Sequence, residues 1–141
     1  MFLCTNCKVL SEVAIEKDGE GRNRHGVAEC RVCGRFDGIK FPSKTEARVY
    51  LELLEELEDG DRLYRQVRFP LLNLAPVPAE ERQAGTPRSF SVDFVIVRAG
   101  GEWEAIDAKA KNWKSREWDR GRAAFEACWK IPIQKRRSRT R

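Results

Sequence analysis

Ser89-Phe-Ser-Val-Asp-Phe-Val-Ile-Val97, the link Arg98-Ala-Gly-Gly101, and Glu102-Trp-Glu-Ala-Ile-Asp-Ala-Lys-Ala110 form the stretch whose reading decides the fold. Phe, Val and Ile recur at alternate positions in both arms, which is the period of a strand. The short Gly-containing link is that of a hairpin. With Ala99 to Gly101 as the loop, Arg98 faces Glu102, Val95 faces Ala105 and Asp93 lands opposite Asp107. Lys109 then projects from the same face about 7 Å further along. The other face carries Phe90, Val92, Phe94, Ile106 and Ala108 as core. Two opposed carboxylates repel each other across a sheet. A divalent cation relieves that repulsion, and carboxylates beside water suit Mg²⁺. A neighbouring lysine orients water and stabilises phosphate charge. An Asp-x-Lys triplet taken singly is also an ordinary polar hairpin face, so its neighbours must decide.

Upstream, Ser43-Lys-Thr-Glu46 opens a helix with the pattern of a capping box. Its apolar face runs Tyr50, Leu53, Leu54 and Leu57, and Gly60 ends it. Glu46 precedes Tyr50 by one turn, so it lies on the inward face. It is either a cap or a third acid for the pair above. Asp61 to Pro70 alternates as a strand, with Arg62, Arg65 or Gln66, and Arg68 on a basic polar face. Leu71 to Arg88, with three prolines and a glycine, reads as a long loop.

Downstream, Lys111-Asn-Trp-Lys114 is basic with an embedded indole. Lys111 and Lys114 suit backbone phosphates, and Trp113 suits either an exposed base or the core. Ser115 caps a last helix to about Trp129, with Trp118, Phe125, Cys128 and Trp129 inward, and Trp129 to Ile133 reads as a short edge strand. Residues 134–141 form a basic tail, disordered when free and available to phosphates.

The N-terminal 36 residues stand apart as a small unit. Cys4-Thr-Asn-Cys7 and Cys30-Arg-Val-Cys33 are two knuckles with the spacing that aims four thiolates at one structural Zn²⁺, the alternatives being a redox pair or a disulfide staple. Val9 to Ile15 and Gly26 to Glu29 supply a hairpin, joined by a charged loop containing Lys17, Arg22, Arg24 and His25. That loop either touches a phosphate backbone or is simply solvated. So short a piece needs the metal to fold.

The chain has 141 residues and a net charge of +5, which suits one core with a small appendage and favours an acidic partner such as nucleic acid. No apolar run approaches a membrane span and no signal peptide is evident, so a cytoplasmic location is expected.

The order Glu46, Asp93, Asp107-x-Lys109 resembles the PD-(D/E)XK nuclease superfamily. Ser-Lys-Thr-Glu-Ala-Arg48 before a Leu-rich helix is similar to a branch of small phage and bacterial endonucleases related to Holliday-junction resolvases. The resemblance covers 43 to about 133, within a nuclease core expected at 37–133. It implies an α/β fold with a restriction-endonuclease-like αβββαβ core on a mixed sheet. It further implies that Glu46, Asp93 and Asp107, with the Ala108 carbonyl, gather Mg²⁺ or Mn²⁺, and that Lys109 serves the attacking water. Val92 stands where the family name has proline, and Asp107 where Glu is commoner. The implied activity is Mg²⁺-dependent endonuclease cleavage of branched DNA by a homodimer, in a bacterial or phage-infected cell. A restriction- or repair-type nuclease on linear duplex, and a non-catalytic zinc-ribbon DNA-binding protein, are the alternatives. Arg65, Arg68, Lys111, Trp113 and Lys114 are the expected DNA contacts.

Overall fold

A computed structural model describes residues 1–13, 15–25, 28–71, 89–110 and 112–139. The expected loop at Leu71 to Arg88 lies, past Leu71, outside the described residues, as does Lys111. The described elements run β1 (Phe2–Cys4), β2 (Leu10–Ser11), β3 (Ile15–Lys17), β4 (Asn23–His25), β5 (Gly38–Lys40), α1 (Lys44–Glu56), β6 (Arg62–Pro70), β7 (Ser89–Val97), β8 (Trp103–Ala108), α2 (Arg116–Trp129) and β9 (Ile133–Arg136). From α1 onward the order is αβββαβ. The central sheet is mixed, in the order β6-β7-β8-β9, with β9 parallel to β8 and the other pairs antiparallel. No helix among the described residues is long and apolar enough to cross a membrane.

The hairpin register is as the sequence reads. Val95 pairs with Ala105, and the Arg98 N–H donates to the Glu102 carbonyl. The expected core face is not. Phe94, Ile96 and Ile106 pack with Leu53, Val49 and Ala47 of α1, whereas Phe90, Val92, Val95, Ala105 and Ile133 pack with Phe125 of α2. Side-chain alternation therefore breaks between Val92 and Phe94. Across the ladder, Gln66 has φ +50°, and it is the β6 residue left out of the pairing with β7. One left-handed residue inside a strand turns the chain locally and creases the sheet there. A simple period of two cannot announce such a crease.

Both helices begin where their caps predict. Ser43 Oγ accepts from the Glu46 N–H at 3.1 Å and Ser115 Oγ from the Trp118 N–H at 3.2 Å. Helix α1 ends at Glu56 rather than near Gly60, because Leu57 turns extended and Asp61 accepts the Glu58 N–H. Leu54 faces solvent, and Ala47 and Val49 take its expected place in the core. Gly121 lets α2 sit close on β7, since a Cβ there would lie 2.5 Å from the Phe90 ring.

The C-terminal stretch differs most from expectation. Trp129 closes α2, Lys130 takes a left-handed cap at φ 57°, and the strand follows at Ile133–Arg136. The basic tail beyond it is docked rather than free up to residue 139. Arg136 pairs with Glu56, and the Ser138 hydroxyl and Arg139 N–H donate to buried Glu52. The acids of α1 hold the cations of the tail.

The expected hairpin of Val9–Ile15 with Gly26–Glu29 is also shifted. Strand β2 pairs with β1, and β3 pairs with β4 around a turn in which the Asp18 carboxylate accepts the Glu20 and Arg22 N–H groups. Strand β1 also pairs with β5, and Leu3 joins the α1-side core. The N-terminal unit thus shares a sheet with β5 and, through Leu3, a core with α1.

Candidate metal and catalytic centres

Four cysteine sulfurs, from Cys4, Cys7, Cys30 and Cys33, lie within 4.8 Å of one another. Thiolates about 2.3 Å from one tetrahedral ion stand about 3.8 Å apart. Cys4 and Cys33 Sγ are separated by 3.7 Å, so the quartet fits such an ion. The two knuckles repeat one set of bonds. Lys8 N–H donates to the Cys4 carbonyl and Cys4 N–H to Val9; Gly34 N–H donates to the Cys30 carbonyl and Cys30 N–H to Arg35. Lys8 and Gly34 are both left-handed, at φ 57° and 70°. Main-chain N–H groups of Cys33 and Val32 lower the Cys30 thiol to about 7, while the bond with Cys33 pushes Cys7 up to about 11. A cation bound here would have to displace the proton that Cys7 holds tightly.

The second centre lies where β7 and β8 part. The ladder's last pair is Phe94 with Ile106. Beyond it the carboxylates take over from the backbone. Asp93 N–H donates to Asp107 Oδ1 at 2.8 Å, and Ala108 N–H donates to Asp93 Oδ2 at 3.0 Å. This reciprocal clasp orients both acids. Asp107 is only 1% exposed; its Oδ2 accepts the Trp118 indole N–H at 2.5 Å and lies 3.6 Å from Lys109 Nζ. Glu46 arrives from α1, on the other face, and meets the site at the crease. There Gln66 Nε2 donates to its Oε1 at 2.6 Å. Glu46 is therefore more than a cap: its main-chain N–H serves Ser43 while its buried side chain faces the acids.

The electrostatics record a crowd of like charge. Asp93 is pushed up to about 6, first by burial, then by Asp107 and Glu46. Burial also pushes Glu46 up, against the Gln66 bond and the Arg65 charge. Hard carboxylate oxygens under mutual repulsion fit a divalent cation in kind. The three acids do not close within 4.8 Å as the cysteines do. Asp93 Oδ1 carries no protein hydrogen bond among the described residues, and it is the oxygen best placed to take a ligand.

Lys109 also lies 4.5 Å from the centroid of the Trp113 ring and 5.4 Å from that of Trp118. Trp113 is 37% exposed and meets Trp118 edge to face, so it is a rim residue rather than core. Beside it opens a cleft of about 640 Å³ lined by Lys109, Ala110, Asn112, Trp113, Lys114, Lys135 and Arg137. Among the described residues, four cations and no acid line it. The parallel pairing of Asp107 with Lys135 brings the C-terminal strand to this cleft. The other expected DNA contacts are divided. Arg68 is exposed and bonds Ser89 Oγ. Arg65 is turned into the protein, 4.2 Å over the Phe41 ring and donating to the Lys40 carbonyl.

Sequence reading missed three participants. Trp118, expected in the core, donates its indole N–H to Asp107. Gln66 holds Glu46, and nothing in its neighbours signals a left-handed backbone. Lys135 was placed in a tail. A basic strand parallel to the triplet was the available signal for it.

No protein-family model matches this chain, and neither the curated proteins nor the solved structures contain a match.

Proposed function

We propose that the chain is a divalent-metal-dependent DNA endonuclease with a restriction-endonuclease-like core and a structural zinc ribbon. The observation that carries the reading is the clasp of Asp93 and Asp107, with Lys109 beside it, opening onto a cleft whose charged lining residues, among those described, are all cations. A protein that merely bound nucleic acid would gain nothing from acids crowded against the phosphates. A phosphodiesterase requires both.

Asp93, Asp107 and Glu46, with the Ala108 carbonyl, are the groups that would hold Mg²⁺ or Mn²⁺. A bound ion supplies Lewis-acid polarisation of the phosphate and a lowered water pKa. Lys109, anchored by Asp107 and flanked by two indoles, orients the attacking water and balances charge building on phosphate oxygens. Lys114, Lys135, Arg137 and Arg68, with Lys111, position the backbone on either side of the cut. Trp113 at the rim suits a base freed from its stack, which favours branched DNA over uninterrupted duplex. Cutting both strands of a junction calls for two copies, so the working form is a homodimer.

A second reading, a non-catalytic nucleic-acid-binding protein, is favoured by one observation: both Asp107 oxygens already accept protein hydrogen bonds. Cleavage assays on plasmid, linear, flap and four-way DNA with Mg²⁺ or Mn²⁺ separate the two. Cutting by wild type, strongest on branched DNA and lost in Asp93→Asn and Lys109→Ala, supports the nuclease. Tight binding with no cutting under any divalent ion supports the second reading.

A further inference from the structure

A second cleft, of about 460 Å³, runs along the seam between the N-terminal unit and α1. Met1, Leu10 and Glu12 line it from one side, Arg31 from the second cysteine knuckle, and Lys44 and Arg48 from the helix. Arg31 directly follows a proposed zinc ligand, and its N–H is pinned by buried Ser11 Oγ at 3.2 Å. Lys44 and Arg48 stand one turn apart on one face of α1. The seam itself is built firmly, by β1 on β5 and by Leu3 in the α1-side core.

The charges here are unspent. Among the described residues no ion pair engages Arg31, Lys44 or Arg48. Some arginines are committed, Arg98 to Asp61 and Glu104, Arg122 to Glu126, and Arg136 and Arg139 to the acids of α1, so what marks the seam is three unpaired cations on one groove rather than their being unpaired. Helix α1 is thus polarised. Its C-terminal acids are neutralised by the tail, while its N-terminal cations face an open groove. One carboxylate, Glu12, stands against three cations.

We propose that this seam is a second contact for the phosphodiester backbone of nucleic acid, so that the cysteine ribbon grips substrate away from the acids. The proposal rests on the reading of the substrate as nucleic acid, not on the chemistry at Asp93. Cations spread over a knuckle and a helical turn match successive phosphates of a strand better than one small anion. The apolar floor of Met1 and Leu10 supports the long side chains that reach them.

The test is binding of a long labelled duplex and of a hexanucleotide to the full zinc-loaded chain, across a potassium chloride series, with Ca²⁺ replacing Mg²⁺. Arg31→Ala/Arg48→Ala weakens the long duplex roughly tenfold and lowers the salt slope by about 2, while the hexanucleotide, held at the acid site, is unaffected. Lys44→Ala, on the exposed first turn, lowers the slope by about 1 and guards against a folding defect in the pair. Arg31→Lys/Arg48→Lys restores most of the affinity. Inorganic phosphate matched in total phosphate does not displace the duplex. Wild-type affinity and slope in both alanine variants overturn the proposal, as does displacement by inorganic phosphate. If wild type cuts DNA and the seam variants match it, the seam alone falls. If wild type binds no nucleic acid, both readings fall.

Discussion

The cysteine quartet and the carboxylate cluster are assembled in opposite ways. Each knuckle is made by one tight turn, and the two turns repeat the same bonds around Lys8 and Gly34. Four donors converge because four residues of local chain dictate where each pair points. The acids come from α1, β7 and β8, and they meet only because a left-handed Gln66 creases the sheet and a helix on each face supplies a partner. A site made by local turns depends on its ligand for stability. A site made by tertiary packing holds its groups in place whether or not a ligand is bound, and bears their repulsion. The difference predicts opposite responses to losing a donor.

The largest effect belongs to the cysteines. Chelation of a zinc held by the quartet is expected to remove metal-linked folding energy on the order of 10 kcal/mol, and Cys30→Ser a large part of it. Because Leu3 and β5 share the α1-side core, the loss spreads beyond the ribbon. Circular dichroism and calorimetry are expected to show a collapse of cooperative melting. A ribbon that melts alone, with the body unchanged, would break the contrast.

Loss of an acid is expected to stabilise. Asp93 sits at about 6 in the folded chain, well above its ordinary 3.8. Between those values the folded state keeps a proton that the unfolded state has released, so this group's contribution to stability falls as pH rises through the interval. Asp93→Asn should therefore raise Tm at pH 8, with the gain fading below about pH 4. On the proposed nuclease reading, the same substitution is expected to cut DNA cleavage by about a thousandfold or more. If Asp93 holds Mg²⁺ as proposed, the ion competes with its proton, and the expected apparent affinity, read by calorimetric titration, climbs as pH rises through about 6 and then levels. A flat profile would remove Asp93 from the metal site.

A smaller effect isolates the packing support. Trp118→Phe keeps the ring against Phe90 and Trp113 but deletes the N–H on Asp107. A hydrogen bond to a charged group is worth about 1.5–3 kcal/mol of stability, so the variant should melt lower, and its Mg²⁺ affinity should change because the Asp107 carboxylate is no longer fixed. Unchanged affinity would make Trp118 a packing residue only. Smallest is Ser43→Ala, which removes the α1 cap at a cost of about 1 kcal/mol in melting experiments and leaves Mg²⁺ affinity alone.

The same contrast explains what could be read beforehand. The knuckles were legible because their chemistry is encoded in spacing. The hairpin register, the two serine caps and the inward face of Glu46 were legible because each follows from local sequence, whereas the meeting of Glu46 with the other acids depends on the crease. The crease at Gln66, the Trp118 bond to Asp107 and the arrival of Lys135 were not, because each depends on what packs across the sheet. Arg65 shows the limit most plainly. On a strand pattern it is a basic outward residue, yet its guanidinium turns back over Phe41. The tail misled for a related reason: its composition is that of a disordered segment, and only the acids of α1 explain why it docks.

The most direct test of the central claim needs no substrate. Backbone amide resonances of the zinc-loaded chain are followed by NMR as substoichiometric Mn²⁺ is added. The account predicts that Asp93, Asp107, Ala108 and Glu46 broaden first and together, and that Asp93→Asn abolishes the effect. Broadening confined to surface acids such as Glu55, Glu58 and Asp59, or equal in wild type and variant, would contradict it.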